Sequence, residues 1–169
     1  MIIRSERPAD IPMIHALNRH AFGRAPDEAG EAELVDRLRA DGAAFASLVA
    51  DDGGEIVGHI LFTRLQVRTG SDVWDAAALA PMAVHPARQR DGIGAKLISE
   101  GISACRACKV PAIIVLGHTS YYPRFGFSVD AARDLVCPFS GPHLMALKLD
   151  AACILKGTVE YPRAFFEVI

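Results

Sequence analysis

The stretch LAPMAVHPARQRDGIGAKLISEG, residues 79–101, constrains the fold most tightly. An apolar run too hydrophobic to face water on both sides enters it, and a helix-spaced segment leaves it. Pro81 inside the apolar run has no N–H, so one ladder hydrogen bond is forbidden and a bulge or break in the strand is expected. Gly92 and Gly94 then open a helix predicted over 92–108, with Ile93, Leu97 and Ile98 on one face. Glycine lets backbone approach a ligand closely, and the free N–H groups of a helix start attract anions. Such a junction suits a phosphate; a glycine-capped helix start with no ligand would read the same way.

The other elements follow from periodicity. IIR opens a short strand. The segment PADIPMIHALNRHAF reads as a helix with Asp10 as N-cap and Ile11, Ile14, Leu17 and Phe22 near helical spacing. DEAGEAELVDRLRADG repeats the logic, with Leu34, Val35 and Leu38 on one face and Gly42 as the stop. FASLVAD and EIVGHILFTRLQV flank the turn signal DGG and predict a hairpin. VWDAAALAPMAV, AIIVLG and HLMALKL read as further strands, YYPRFGF as an aromatic turn, and GTVEYPRAFFEVI as an apolar tail that packs back. The result is a mixed α/β domain with one central sheet spanning residues 1–169, without repeat or linker.

Composition bounds the function. An apolar share of 51% suits a soluble globular domain, and a net charge of −2 argues against nucleic-acid binding. There is no membrane-length apolar run and no signal-peptide core at the N-terminus, so the expected location is cytoplasmic. Cys105 and Cys108 form a Cys-x-x-Cys inside a predicted helix with no second pair. No metal site is expected, and at least three of the four cysteines are read as buried small hydrophobes.

Three phosphate loops compete at 89–94. The Walker pattern lacks its first glycine, and the dinucleotide fingerprint lacks its third, Leu97 standing in its place. Gln/Arg-x-x-Gly-x-Gly/Ala is met by Gln89, Gly92 and Gly94. With the surrounding LAPMAVHPARQRDGIGAKLISEGI and the later VLGHTSYYPRFGFSV, the chain resembles the GNAT superfamily of acyl-CoA N-acyltransferases. It is most similar to a bacterial branch of predicted N-acetyltransferases with a Leu-Gly-His-Pro-x-Tyr-Tyr-Pro-Arg-Phe-Gly-Phe run. GEIVGHILF, the opening strand and the tail GTVEYPRAFFEV resemble that branch too.

The resemblance implies a mostly antiparallel twisted sheet, flanked by helices and splayed at a cofactor slot. It implies acetyl-CoA as acyl donor and a small-molecule or protein primary amine as acceptor. Met82, Ala83 and Val84 would pair with the pantetheine arm. Gln89, Arg90, Asp91, Gly92, Ile93, Gly94 and Ala95 would hold the pyrophosphate, with Arg88 and Lys96 adding charge nearby. Tyr122, four residues before Gly126, stands where the family places the acid that protonates the CoA thiolate; Tyr121 is read as packing or slot lining. His118 at a strand end is a candidate base.

Glu31 and Glu33 on the second helix, and His59 in the strand IVGHILF, are candidates for the acceptor side. Only one of the two glutamates is expected to face the slot, since neighbours two apart on a helix diverge. Glu28 and Asp36 add to the acidic helix face. The family's asparagine before the tyrosine is absent; Ser120 is a candidate pantetheine contact, and Thr119 replaces the branch's proline. The alternative to a transferase is a catalytically silent acyl-CoA-binding or sensing domain. The apolar C-terminal tail offers a surface for a homodimer.

Overall fold

The computed structural model describes residues 1–23 and 30–168. Strand β1 (Ile2–Ser5) leads through a single turn of 3₁₀ helix, Pro8–Asp10, into α1 (Ile11–Phe22), and α2 (Glu31–Ala40) follows. Then come β2 (Ala44–Asp52), β3 (Glu55–Thr69), β4 (Asp72–Val84), α3 (Ile93–Ala107) and β5 (Ala112–Leu116). The chain ends with β6 (Leu135–Val136), β7 (Leu144–Lys148), β8 (Gly157–Glu160) and α4 (Ala164–Glu167). One sheet runs β1-β2-β3-β4-β5-β7, and β8 joins the far half of β3 while also pairing β6. All pairings are antiparallel except β4–β5 and β6–β8.

The hairpin forms where DGG predicts it. Gly53 and Gly54 carry φ of 68° and 97°, the two left-handed residues that a tight β2–β3 turn demands, and Asp51 Oδ1 accepts from Gly54 N–H at 2.8 Å. Its β3 arm is nearly unbroken in burial because both faces are covered. Even-numbered Ile60 and Phe62 meet Ile93, Leu97 and Ile98 of α3. Leu61 on the opposite face packs with Ile14 and Leu17 of α1, Leu34, Val35 and Leu38 of α2, and Phe165 of α4. The α2 and α3 faces expected from spacing are the ones buried, as are Ile14 and Leu17 of α1, whereas Ile11 is half-buried and Phe22 is exposed.

Two expectations need correction. Asp10 precedes α1 but makes no cap with it; its carboxylate accepts from Arg7 N–H at 2.7 Å and from Arg4 Nη1 and Nη2 at 2.6 and 3.0 Å. A buried carboxylate beside a bidentate guanidinium gains more from that charge-assisted pair than from one amide. Of the four cysteines only Cys105 and Cys137 are buried; Cys153 is half-buried and Cys108 is exposed at the end of α3, and all four are free. Among the described residues no helix is long and apolar enough to cross a membrane, and no group of His, Cys, Asp and Glu is placed to hold a metal ion.

Between α1, α2 and the β2–β3 hairpin lies a polar cluster inside the apolar layer. His59 is fully buried, with Nε2 at 3.0 Å from Ser47 Oγ and Nδ1 at 3.4 Å from Asn18 Nδ2. Ser47 donates to Glu6, which Arg39 also holds at 2.7 and 3.1 Å. Burial lowers the His59 imidazole to about 4, the nearby Glu6 carboxylate only partly opposing and Arg39 adding to the shift.

Two measurements test this packing. At Gly101 of α3 an added Cβ would lie 2.0 Å from the fully buried ring of Phe62. Gly101→Ala gains about 1 kcal/mol in helix propensity but overpacks by about 1–3 kcal/mol, and a ring with no room to retreat puts the cost at the upper end. The expected net is a Tm lower by a few degrees; an unchanged or raised Tm would show that α3 shifts freely on the sheet.

The second concerns pH. A histidine neutral when folded and titrating near 6.5 when unfolded stabilises the fold above 6.5 and loses that contribution as pH falls towards 4. The loss is on the order of 3 kcal/mol across this window. Glu6, held below the usual carboxylate range by Arg39 and Ser47 against its burial, contributes its own loss only at lower pH. Urea unfolding between pH 6.5 and 4 should show the slope in the natural chain and a much flatter one in His59→Gln; equal slopes would refute it.

Candidate active site

Strands β4 and β5 run parallel but share only two register pairs, Ala77–Ile113 and Ala78–Ile114. Past that point β4 bulges: Leu79 stands opposite Phe62 and Met82 opposite Ile60, so Ala80 and Pro81 together face Leu61. Pro81, joined to Ala80 by a cis peptide, supplies no N–H here, as the sequence led us to expect. The strands then separate, and β5 continues to Leu116 paired only with β7.

His85 N–H donates to Val57 O at 2.9 Å. By antiparallel alternation, Ala83 likewise directs its backbone polar groups to β3, whereas Met82 and Val84 direct theirs into the opening. Ala83 itself is buried against the α1–α2 layer, so of the expected pantetheine segment Met82 and Val84 offer the outward amides.

The loop after β4 is tightly braced. His85 Nδ1 accepts from Ala87 N–H at 3.2 Å, and the Gln89 side-chain amide donates to Val84 O at 3.3 Å. Arg90 and Gly92 adopt left-handed conformations, φ 70° and 79°, which turn successive N–H groups toward one side. The first helical hydrogen bond of α3 runs from Lys96 N–H to Gly92 O, so the N–H groups of Ile93, Gly94 and Ala95 have no partner within the helix.

A groove of about 510 Å³ lies over these amides, lined by Met82, Val84, Gln89, Arg90, Gly92, Ile93, Gly94, Ala95, Tyr121 and Arg124. Among the described residues two guanidinium groups and no carboxylate line it. Arg124 lies 4.5 Å over the Tyr121 ring and donates to Tyr121 O at 3.0 Å, and the site of a Cβ on Gly94 is 3.3 Å from the Tyr121 hydroxyl. The groove is built for an anion.

Other candidates near the loop fall elsewhere. Arg88 is held by Asp52 at 2.9 Å and Asp91 at 3.0 Å, so it locks the loop to the hairpin and its charge is neutralised. Asp91 is its partner rather than part of the groove wall. Lys96 and Ser120 are exposed and line neither this groove nor the cavity described next.

That cavity, of about 330 Å³, occupies the sheet opening on the α1–α2 side. Met82 is common to its wall and to the groove, so the two spaces meet at the splayed strand. Tyr122 lines it, with its ring directly over Gly117, where an added Cβ would meet Cε2 at 2.3 Å. Tyr121 and Phe127 pack edge-on against Tyr122, at centroid distances of 5.3 and 5.8 Å. Burial, with the adjacent Tyr121, pushes the Tyr122 phenol up to about 12, so it stays protonated across the neutral range.

His118 is exposed. Its carbonyl accepts from Tyr121 and Tyr122 N–H at 3.0 and 3.3 Å, and its imidazole lines neither space.

Of the two helix glutamates one faces the opening. Glu31 lines the cavity. Glu33 instead accepts from Gly30 N–H at 2.8 Å at the helix start and pairs with Arg19; these bonds hold it below its ordinary value although burial works the other way. His59 is enclosed in the Ser47–Asn18 cluster and lines neither space. Glu28 lies outside the described residues. Tyr121 and Arg124 shape the groove, and sequence reasoning did not assign Arg124; the adjacent YYPRF turn was its signal, but only the 3₁₀ turn Tyr122–Phe125 brings it back over the loop.

Comparison with known proteins agrees with this geometry. Residues 2–129 match the family model described as an acetyltransferase (GNAT) domain. The chain is 35% identical over 170 residues to an uncharacterized N-acetyltransferase, YhbS, of Escherichia coli K12, covering 98% of both chains. It is 40% identical over 121 residues to YjhQ of the same strain, 70% of this chain and 65% of that one. Among solved structures, a GNAT acetyltransferase from Brucella melitensis in complex with acetyl-CoA superposes with a TM-score of 0.80 at 34% identity, covering 97% of each chain. E. coli YhbS in complex with CoA gives 0.85 at 31% identity, over 98% of this chain and 92% of that one. A sheet that parts at β4–β5, an amide-lined loop and a whole-chain likeness at this level identify the chain as a member of the GNAT acetyltransferase family.

Proposed function

We propose that this chain transfers an acetyl group from acetyl-CoA to a primary amine by direct attack. The observation that carries the reading is that the two spaces adjoin at one residue of the splayed strand. An anion groove formed by the α3 N-terminus, Arg90 and Arg124 joins, at Met82, a cavity containing a protonated buried tyrosine. The pyrophosphate would lie on the amides of Ile93, Gly94 and Ala95, and the pantetheine arm along the outward backbone of Met82 and Val84. The thioester then falls in the β4–β5 opening.

The neutral amine attacks the carbonyl carbon from the cavity side. Charge develops on the carbonyl oxygen, for which the Met82 N–H is the preorganised donor. The C–S bond breaks, the electron pair leaves on sulfur, and Tyr122 gives its phenolic proton to the thiolate. The amine nitrogen releases its extra proton to solvent, directly or by way of Glu31, and the tyrosine is reprotonated. His118, exposed and outside both spaces, would act only through intervening water.

Thermal shifts against acetyl-CoA, CoA, ATP and NAD test the groove. A ligand at a hundred times its Kd stabilises by about 2.7 kcal/mol. Acetyl-CoA and CoA should raise Tm while ATP and NAD do so less; no shift with either CoA species would remove the reading's basis. Tyr122→Phe should lower kcat by about 10²- to 10⁴-fold with CoA affinity unchanged. CoA binding without acetyl transfer to any amine in the natural chain would instead mark a silent binding domain.

The rate should rise with pH as the acceptor amine deprotonates, with no descending limb below about pH 10, because the acid titrates near 12. Gly117→Ala forces the Tyr122 ring aside and should lower kcat while leaving CoA affinity intact; a natural kcat in that variant would show that the ring position is not critical.

A further inference from the structure

We propose that the Tyr121 hydroxyl is a further cofactor-binding group, donating a hydrogen bond to the phosphate of coenzyme A that adjoins the pantetheine arm. The inference rests on the transferase reading of the groove and adds to it the residue that marks where the diphosphate ends. From sequence, Tyr121 reads as packing or slot lining. Its hydroxyl, however, lies over the loop: the site of a Cβ on Gly94 is 3.3 Å from Tyr121 Oη, 3.5 Å from Met82 Cε and 3.7 Å from Met82 Sδ. The phenol therefore stands between the first turn of α3, whose amides have no partner in the helix, and the splayed strand that leads to the cavity. A ligand with its phosphates on those amides and its arm along Met82 and Val84 changes from charged to neutral at this point.

The ring is fixed before any ligand arrives. Tyr122 and Phe125 pack edge-on against it at centroid distances of 5.3 and 5.5 Å. The Arg124 guanidinium covers one face at 4.5 Å, and its Nε donates to the Tyr121 carbonyl at 3.0 Å. These contacts use the ring and the backbone; among the described residues the hydroxyl has no hydrogen-bond partner within the protein. Burial raises the phenol above its ordinary value although Arg124 opposes the shift, so it remains a donor at neutral pH. A donor without an acceptor of its own, held over partnerless amides and beside a guanidinium, is complementary to a phosphoryl oxygen. Its neighbours in the chain are not placed to do this. Thr119 and Ser120 are exposed and line neither space, and Tyr122 turns its ring into the cavity. Gly94 belongs to the same arrangement: a methyl there would sit closer to the hydroxyl than an ordinary contact, so the missing side chain is what lets the phenol reach the loop.

The test is calorimetry on the full chain with CoA and with its two halves. 4′-Phosphopantetheine carries the phosphate next to the arm, and 3′,5′-adenosine diphosphate carries the other. Tyr121→Phe keeps the ring and its packing and removes only the hydroxyl. It should weaken CoA about tenfold, weaken 4′-phosphopantetheine by a similar factor and leave 3′,5′-adenosine diphosphate unchanged. Gly94→Ala should weaken CoA in the natural chain and cost much less in the Tyr121→Phe background, where no hydroxyl has to move aside. Equal CoA affinity in the natural chain and Tyr121→Phe overturns the proposal and leaves the transferase reading standing. A loss that follows 3′,5′-adenosine diphosphate instead does the same, since it puts the hydroxyl on the far phosphate. Additive effects of the two substitutions overturn the coupling between Gly94 and the phenol. A natural chain that binds no CoA overturns the transferase reading itself, and this inference with it.

Discussion

Everything about the site depends on how little β4 and β5 pair. A parallel ladder normally propagates, since each added residue contributes a hydrogen bond at small further entropic cost. Here it stops after Ala78–Ile114 because Pro81 has no N–H to continue and the bulge at Ala80–Pro81 turns the strand away. Two strands that part within a buried sheet leave backbone polar groups that need a partner. The amides of Met82 and Val84 are such groups, and an extended ligand can take the place of the missing strand. The break in the sheet is thus where the proposed cofactor arm would lie, and the same bulge sets the direction in which the following loop leaves.

The second constraint is electrostatic, and it divides the opening in two. On the α3 side, partnerless helix amides, the left-handed turns at Arg90 and Gly92, and the guanidinium of Arg124 all favour negative charge. Asp91, which would oppose it, is neutralised by Arg88, itself tied to Asp52 in the hairpin. On the α1–α2 side the described wall is apolar apart from Glu31, and desolvation holds Tyr122 protonated. Adjacent residues face the two environments: Tyr121 the anion groove, Tyr122 the largely apolar cavity. The 3₁₀ turn that follows and the absence of a side chain at Gly117 make that division.

The sequence disclosed what is governed locally. The hairpin follows from Gly53–Gly54, the strand bulge from Pro81, and the α3 face from Ile93, Leu97 and Ile98; each is a short-range rule that tertiary contacts had no reason to override. What stayed hidden was decided by partners distant along the chain. Asp10 resembles a helix cap until Arg4 reaches it from β1, and Arg88 resembles a phosphate ligand until Asp52 and Asp91 claim it. Glu31 and Glu33 differ in sequence by two positions, but the helix angle puts one in the cavity and the other on Arg19. Pairing of β8 with the far half of β3, which brings Tyr161 and Phe165 to the cavity, has no local signal either.

The same long-range placement accounts for where His59 sits. A histidine in a central strand, directly across from Ala83 of the splayed strand, is chemically attractive as a base. Strand alternation sends it into the α1–α2 layer, where burial lowers its pKa and Ser47 and Asn18 take its nitrogens. Neutral imidazole in an apolar layer can link hydrogen bonds without carrying charge, which a lysine or arginine there could not do. Its role is to join α1 to the β2–β3 hairpin beneath the opening. A rigid joint there matters because α1 and α2 form the outer wall of the cavity, and the proposed attack geometry would be only as well defined as that wall is fixed.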